Sequence, residues 1–302
     1  MQSTLVKALV YPLFFLLATV FFLIQGFPIE MIGERIKQQA ETRMGMKLSY
    51  ATLETSFPNG IKASSVRLMK PSEEEGDPGF SLLLDRAEAS ISLLGLLFGD
   101  RDLSIDLELL SGRITGDISL DEEQPSINLK LTALDLGKLP IWQDLLGLPL
   151  AGKLGGVIDL ALNKDVKKTQ GKIQLNLEQA SLGEGKIKGF NSPSIALGKP
   201  QLELLLDKGK AEIKTFKISS DDAEADMEGY FLLQKQLSKM TAKTKVHFKL
   251  SDAKFQEFLS KIPPELQSMA TTQVNRAKGK DGSFHYSLIG RLDHPQFRSI
   301  KQ

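Results

Sequence analysis

The chain has no cysteine, three histidines and one tryptophan among its 302 residues. Without cysteine there are no disulfides, no thiolate metal sites and no cysteine nucleophile. That absence is compatible with an oxidising compartment but does not assign one. His247, His285 and His294 are so few that a histidine-based catalytic or zinc centre would use nearly all of them. A basic surplus is missing too. Against 38 Lys and Arg stand 37 Asp and Glu, which argues against nucleic acid as a partner. A net charge of +1 with 41% hydrophobic residues excludes a disordered chain. The length suits one large domain or two ordinary ones. Catalytic signatures are also lacking: there is no P-loop, no G-x-S-x-G and no H-E-x-x-H. Gly183-x-Gly185-x-x-x-Gly189 misses the spacing of a dinucleotide fingerprint and reads as a hairpin loop. Asp221, Asp222, Glu224 and Asp226 lack the glycine and distal Glu of a calcium loop and read as a solvated strand face. The expectation is a non-enzyme with no cofactor and no metal.

What is present begins with a long apolar run. From Ala8 to Ile29 no charged residue occurs over 22 positions, the length of a bilayer-spanning helix. Gln25-Gly26-Phe27-Pro28 follows the apolar centre without an Ala-x-Ala pattern, so an uncleaved signal anchor is preferred to a cleaved signal peptide. Residues 1–29 are read as a cytoplasmic stub and transmembrane anchor. The basic-residue bias across it is not clean, but a long following domain can be exported whatever its charge. The expected localisation is a single-pass inner-membrane protein with most of the chain in the periplasm. Residues 30–47 form a juxtamembrane helix, since Ile29, Ile32, Ile36 and Ala40 make one helical stripe.

Residues 48–302 are read as a β-rich periplasmic domain, because the hydrophobic period changes to two. Leu103, Ile105, Leu107 and Leu109 alternate with polar residues, as do Ile127, Leu129, Leu131 and Ala133. Ile158, Leu160 and Leu162, then Ile173, Leu175 and Leu177, repeat the pattern. So do Ala223, Ala225 and Met227, and the run from Ala242 through Val246 to Leu250. Strands with one wet and one dry face point to an antiparallel sheet. Turn signals separate them, including Pro58-Asn59-Gly60 and Asp281-Gly282. Helical interludes are expected at residues 139–148 and 252–278, the second broken by Pro263-Pro264. The fold class is therefore mainly β: a transmembrane helix, then a long antiparallel, curled sheet with two or three short helices.

Such a sheet must cover its apolar face, and these helices are too few to do so. It either closes into a barrel, packs as a sandwich, or curls into a trough that acyl chains could line. The trough positions would be Leu103, Ile105, Leu107, Ile127, Leu129, Leu131, Ile158, Leu160, Leu175 and Val246. Trp142, with Ile141, Leu145 and Leu146, is either a plug at one end of the sheet or a docking face.

Residues 110–120 read LSGRITGDISL and residues 150–160 read LAGKLGGVIDL, an internal repeat. Its paired glycines, Gly112 with Gly116 and Gly152 with Gly156, mark bends or close backbone approach.

These stretches, with LLGLLFGDRDLSIDLELLSGRITGDISL at residues 93–120, LPIWQDLLGLPLAGKLGGVIDLAL at 139–162 and FHYSLIGRLDHPQF at 284–297, resemble the type II secretion system protein N (general secretion pathway protein N) family. The Gly-x-Leu-x-x-Pro ending is shared with the wider AsmA-like group of membrane-anchored, β-rich envelope proteins. The resemblance implies an inner-membrane accessory component of a type II protein secretion system, bound to other envelope or secretion-system proteins. The alternative it raises is an AsmA-like protein whose apolar trough handles phospholipid.

Overall fold

In the computed structural model, residues 29–56, 59–70, 80–92, 102–121, 125–139, 141–187, 190–236, 239–263, 267, 272, 278–279, 282–292 and 294–300 are described. Residues 1–28 of the expected anchor at 1–29 lie outside them. Among the described residues no helix is long and apolar enough to cross a membrane. The chain is mainly β and divides into two units, Met1–Glu88 and Ala89–Gln302.

The described part of the first unit holds α1 (Ile29–Met44), β1 (Lys47–Ser49), β2 (Thr52–Ser56), β3 (Gly60–Lys70) and most of β4 (Phe80–Ile91). Here β1 and β2 form one interrupted lane along β3, in a single antiparallel register from Lys47↔Met69 to Ser56↔Gly60. One face of α1 meets this lane through small residues. Ala40 is buried, and a Cβ on Gly33 would collide with the Tyr50 hydroxyl. Lys37 sits 4.5 Å above the Tyr50 ring. Of the expected helical stripe, Ile36 is exposed, because the contact turns on Gly33 and Ala40.

The second unit is a meander. Its strands are β5 (Asp102–Leu109), β6 (Gly112–Ser119), β7 (Ser126–Asp135), β8 (Leu150–Ala161) and β9 (Gln170–Leu182). A side hairpin, β10 (Gly185–Ile187) with β11 (Phe190–Ser192), leaves the sheet. Then come β12 (Ile195–Gly198), β13 (Gln201–Asp207), β14 (Lys210–Ser219), β15 (Ala223–Leu232), β16 (Thr241–Leu250), β17 (Phe284–Arg291) and β18 (Gln296–Ser299). Strands β12 and β13 share the lane between β9 and β14, so the lateral order follows the chain order. The expected antiparallel pairing needs one correction: β12 meets β14 in parallel, at Gly198↔Ser219. It follows from two short strands filling one lane.

Two hairpins close with two residues at positive φ, Leu110-Ser111 and Lys208-Gly209, the conformation that matches the twist of the flanking strands. The Leu110 carbonyl accepts from Asp135 N–H, which ties the first turn to the end of β7.

Helical segments stand at both ends of the strands: a 3-10 turn (Val166–Lys168) joins β8 to β9 at one, and the others lie at the opposite end. A 3-10 turn (Leu136–Lys138) and α2 (Ile141–Leu146) join β7 to β8, and α3 (Asp252–Ser260) follows β16. Buried Leu109, Leu134, Leu136, Leu148, Phe255 and Ile262 lie at this end. Ser251 caps α3 by accepting from Lys254 N–H. Lys254 reaches Glu257 at 3.0 Å and Asp222 at 3.8 Å, and Lys261 reaches Glu184 at 2.8 Å. The Glu257 and Asp222 carboxylates hold the Lys254 ammonium above its ordinary range, and Lys261 holds the Glu184 carboxyl below its own.

Candidate functional site

In the second unit, cross-strand register decides which side chains share a face. Ile105, Gly116, Leu129, Ile158 and Ile173 stand opposite one another in turn on five successive strands. The row continues through Leu204 and Ile213 to Gly229, Thr244, Leu288 and Phe297. A second row, two residues along, runs from Leu107 through Ile114, Leu131, Gly156 and Leu175 to Leu202. A third, on the other side, runs from Leu103 through Ile118, Ile127 and Leu160 to Gly171. Side chains two apart on a strand point the same way, so the rows form one continuous apolar face. Eleven lanes at ~4.8 Å give the first row a contour of about 48 Å.

All ten apolar positions singled out in the sequence lie on this face, Val246 by its place two residues after Thr244. Each is half-buried and none is buried. Residues of a packed sandwich core would be buried against an opposing layer. Here the ten stay partly exposed, while Ile213 and Thr244 of the first row are buried.

The opposite face is polar and cross-paired. Ser104 donates to Asp117 at 2.6 Å, Arg113 forks onto the Asp106 carboxylate, and Lys172 meets Glu203 at 2.9 Å. Lys172 holds the Glu203 carboxyl below its usual range. Lys245 pairs with Glu228 at 3.2 Å and His247 with Asp226 at 3.0 Å. Such pairs fix register and keep this side wet.

Glycines interrupt the apolar rows. Gly116 and Gly156 have φ of +156° and +152°, and a Cβ on either would collide with a neighbouring carbonyl, of Asn128 or Gln174. Gly152, at φ +139°, would bring a Cβ to 3.1 Å from Ala180 Cα. A Cβ on Gly112 would meet the β7 backbone 2.6 Å away at Leu134 N. The two repeat copies part company at their start: Leu110-Ser111 is a turn, whereas Leu150-Ala151 is strand.

Sequence reasoning misplaced Ala133. It was expected on the dry face, but it adopts φ +52° in a bulge between Leu131 and Leu134, is exposed, and yields its place to buried Leu134. His285 is 6% exposed, with Nε2 2.7 Å from Ser283 Oγ and its ring edge-on to His247. It belongs to the wet face by alternation but stands at the covered end of the unit. Asp222 accepts from Ala196 N–H at 2.8 Å and faces Lys254, a structural clamp. Trp142 is half-buried and its indole donates to the Leu136 carbonyl at 2.9 Å, so the ring folds back onto the 3-10 turn. Ile141 is half-buried beside it. The side chains of Leu145 and Leu146 lie outside the described residues.

Several members of the face were missed. Ile114 and Ile118 were obscured because Gly116 breaks their alternation. Leu202 and Leu204 were hidden in the run QLELLL, where exposed Leu205 fills a wet position. A cavity of about 520 Å³ lies along β14 and β15 where their register breaks, lined in part by Lys214, Phe216, Glu224 and Met227. No family model, no curated protein and no solved structure matches the chain.

Proposed function

We propose that the chain is an inner-membrane-anchored periplasmic protein whose sheet holds acyl chains of phospholipid on its apolar face. The observation that carries this reading is the set of ten apolar side chains on one face, all half-buried. An apolar face whose side chains stay partly open can take a ligand or a partner, and an acyl chain satisfies a groove of leucine and isoleucine without needing hydrogen bonds. The anchor at residues 1–29 would hold this face beside its lipid source. The chemistry is non-covalent carriage: apolar contact alone, at about 0.8 kcal/mol per buried methylene.

The second reading is an accessory component of a type II secretion system. The segments at 93–120, 139–162 and 284–297 support it by their resemblance. The two readings differ in what touches the apolar face. A photoreactive side chain placed at Leu131 in living cells is expected to crosslink phospholipid, and one at Lys130, on the wet face, is not. Lipid adducts at neither position, with protein adducts at Leu131, would replace the first reading by the second.

A further inference from the structure

The end of the sheet offers a surface that neither reading requires. Among the described residues strand β18 is the last lane, with β17 as its neighbour on one side. Ile300 N–H donates to the His285 carbonyl at 2.9 Å. Antiparallel ladders alternate bonded and non-bonded pairs. In the register Ser299↔Tyr286 and Phe297↔Leu288, the backbone groups of Gln296 and Arg298 therefore turn inward to β17. Those of Phe297 and Ser299 turn outward. The sheet thus presents two outward N–H and C=O pairs on one residue spacing, the template for an added strand.

The side chains at this edge define what such a strand would look like. Phe297 ends the apolar row and is 66% exposed, the largest value among the described large hydrophobic residues. Any strand laid against β18 would place alternate side chains beside it, so those should be apolar. The other face is basic. Neither β17 nor β18 contains an acid; Arg298 is exposed, donating to Gln296 Oε1 at 3.1 Å, and Lys243 is exposed on the next strand inward. Facing Arg298 against its own copy would oppose like charges, which disfavours a second copy as the occupant. We infer that the outer edge of β18 receives an extended segment of a partner protein, apolar on one side and acidic on the other. The same edge is short and carries Arg298, features that discourage indiscriminate pairing. They restrict the guest to one that neutralises the arginine.

The test uses the full chain in detergent micelles and two synthetic eight-residue peptides, alternating Val-Glu and alternating Val-Lys. The Val-Glu peptide is expected to bind and to slow amide exchange at Phe297 and Ser299 at least about ten-fold, with Arg298 unchanged. Val-Lys is expected to bind at least about ten-fold more weakly. Ser299→Pro removes an outward N–H that β17 does not use, so the fold is kept while affinity for Val-Glu falls about ten-fold. On the wild-type protein, a Val-Glu peptide N-methylated at its bonding amides is expected not to bind. Equal binding of both peptides, indifference to Ser299→Pro or indifference to N-methylation would overturn the inference. So would exchange at these amides that is already slow and speeds on dilution, which would assign the edge to a second copy. Slowing by phospholipid vesicles in place of peptide would also overturn it.

Discussion

Gly156→Val is expected to lower the stability of the full chain by about 3 kcal/mol. Two costs add. The backbone at φ +152° is one that side-chain-bearing residues rarely adopt, and strain of this kind costs on the order of 1–3 kcal/mol. A Cβ there collides with the Gln174 carbonyl and comes to 3.0 Å from Leu175 Cα. Gly156 is paired on both sides, with Leu131 and with Leu175, so neither neighbour can retreat without opening its ladder. Gly155 is the control. It has an ordinary φ, and its nearest contact is the movable Asn176 amide at 3.3 Å. Valine is favoured in strands, so Gly155→Val should change stability by less than about 1 kcal/mol. Urea denaturation in micelles reads both. A Gly156→Val midpoint equal to that of the wild type would show that these glycines do not set the sheet's geometry.

The two glycines also show how far the fold can be read from residues alone. The period of two in LSIDLEL and INLKLTA marks β5 and β7 because one-sided burial forces alternation. Register between strands is a different quantity. It depends on where turns and bulges fall, and the Ala133 bulge shifts one strand against the next without any sign in the hydrophobic pattern. The apolar face was legible strand by strand. Its continuity was not, since the rows join only once Gly116 is set opposite Leu129 and Gly156 opposite Leu175. His285 makes a similar point: alternation says which face a residue occupies, not whether that face is covered there.

Leu129→Glu and Leu160→Glu separate an open apolar face from a dry interior more sharply than any other pair of changes. Leu129 lies between Gly116 and Ile158, and Leu160 between Ile127 and Gly171, all on the same face. Both leucines keep only the smaller part of their surface in water, so each loses about two-thirds or more of the 1.5–3 kcal/mol that full burial of a leucine supplies. A glutamate at either position reaches water at its tip and keeps most of its hydration. The expected loss is therefore about 1–2 kcal/mol per substitution, with cooperative unfolding retained. In a sealed core the same carboxylate would be stripped of water and cost several kcal/mol more. The effect on lipid is read separately from the effect on the fold. Displacing two methylenes from contact removes about 1.6 kcal/mol, more than a ten-fold change in occupancy. The double variant should thus lose at least about ten-fold of the phospholipid crosslinked from Leu131, while Lys130→Glu, on the wet face, leaves the yield unchanged. Unfolding of either single variant would mean that the face is closed and dry, and acyl carriage would be excluded. A folded double variant that still crosslinks lipid at the wild-type level would exclude it as well, because a chain lying on this face cannot avoid two carboxylates on adjacent strands.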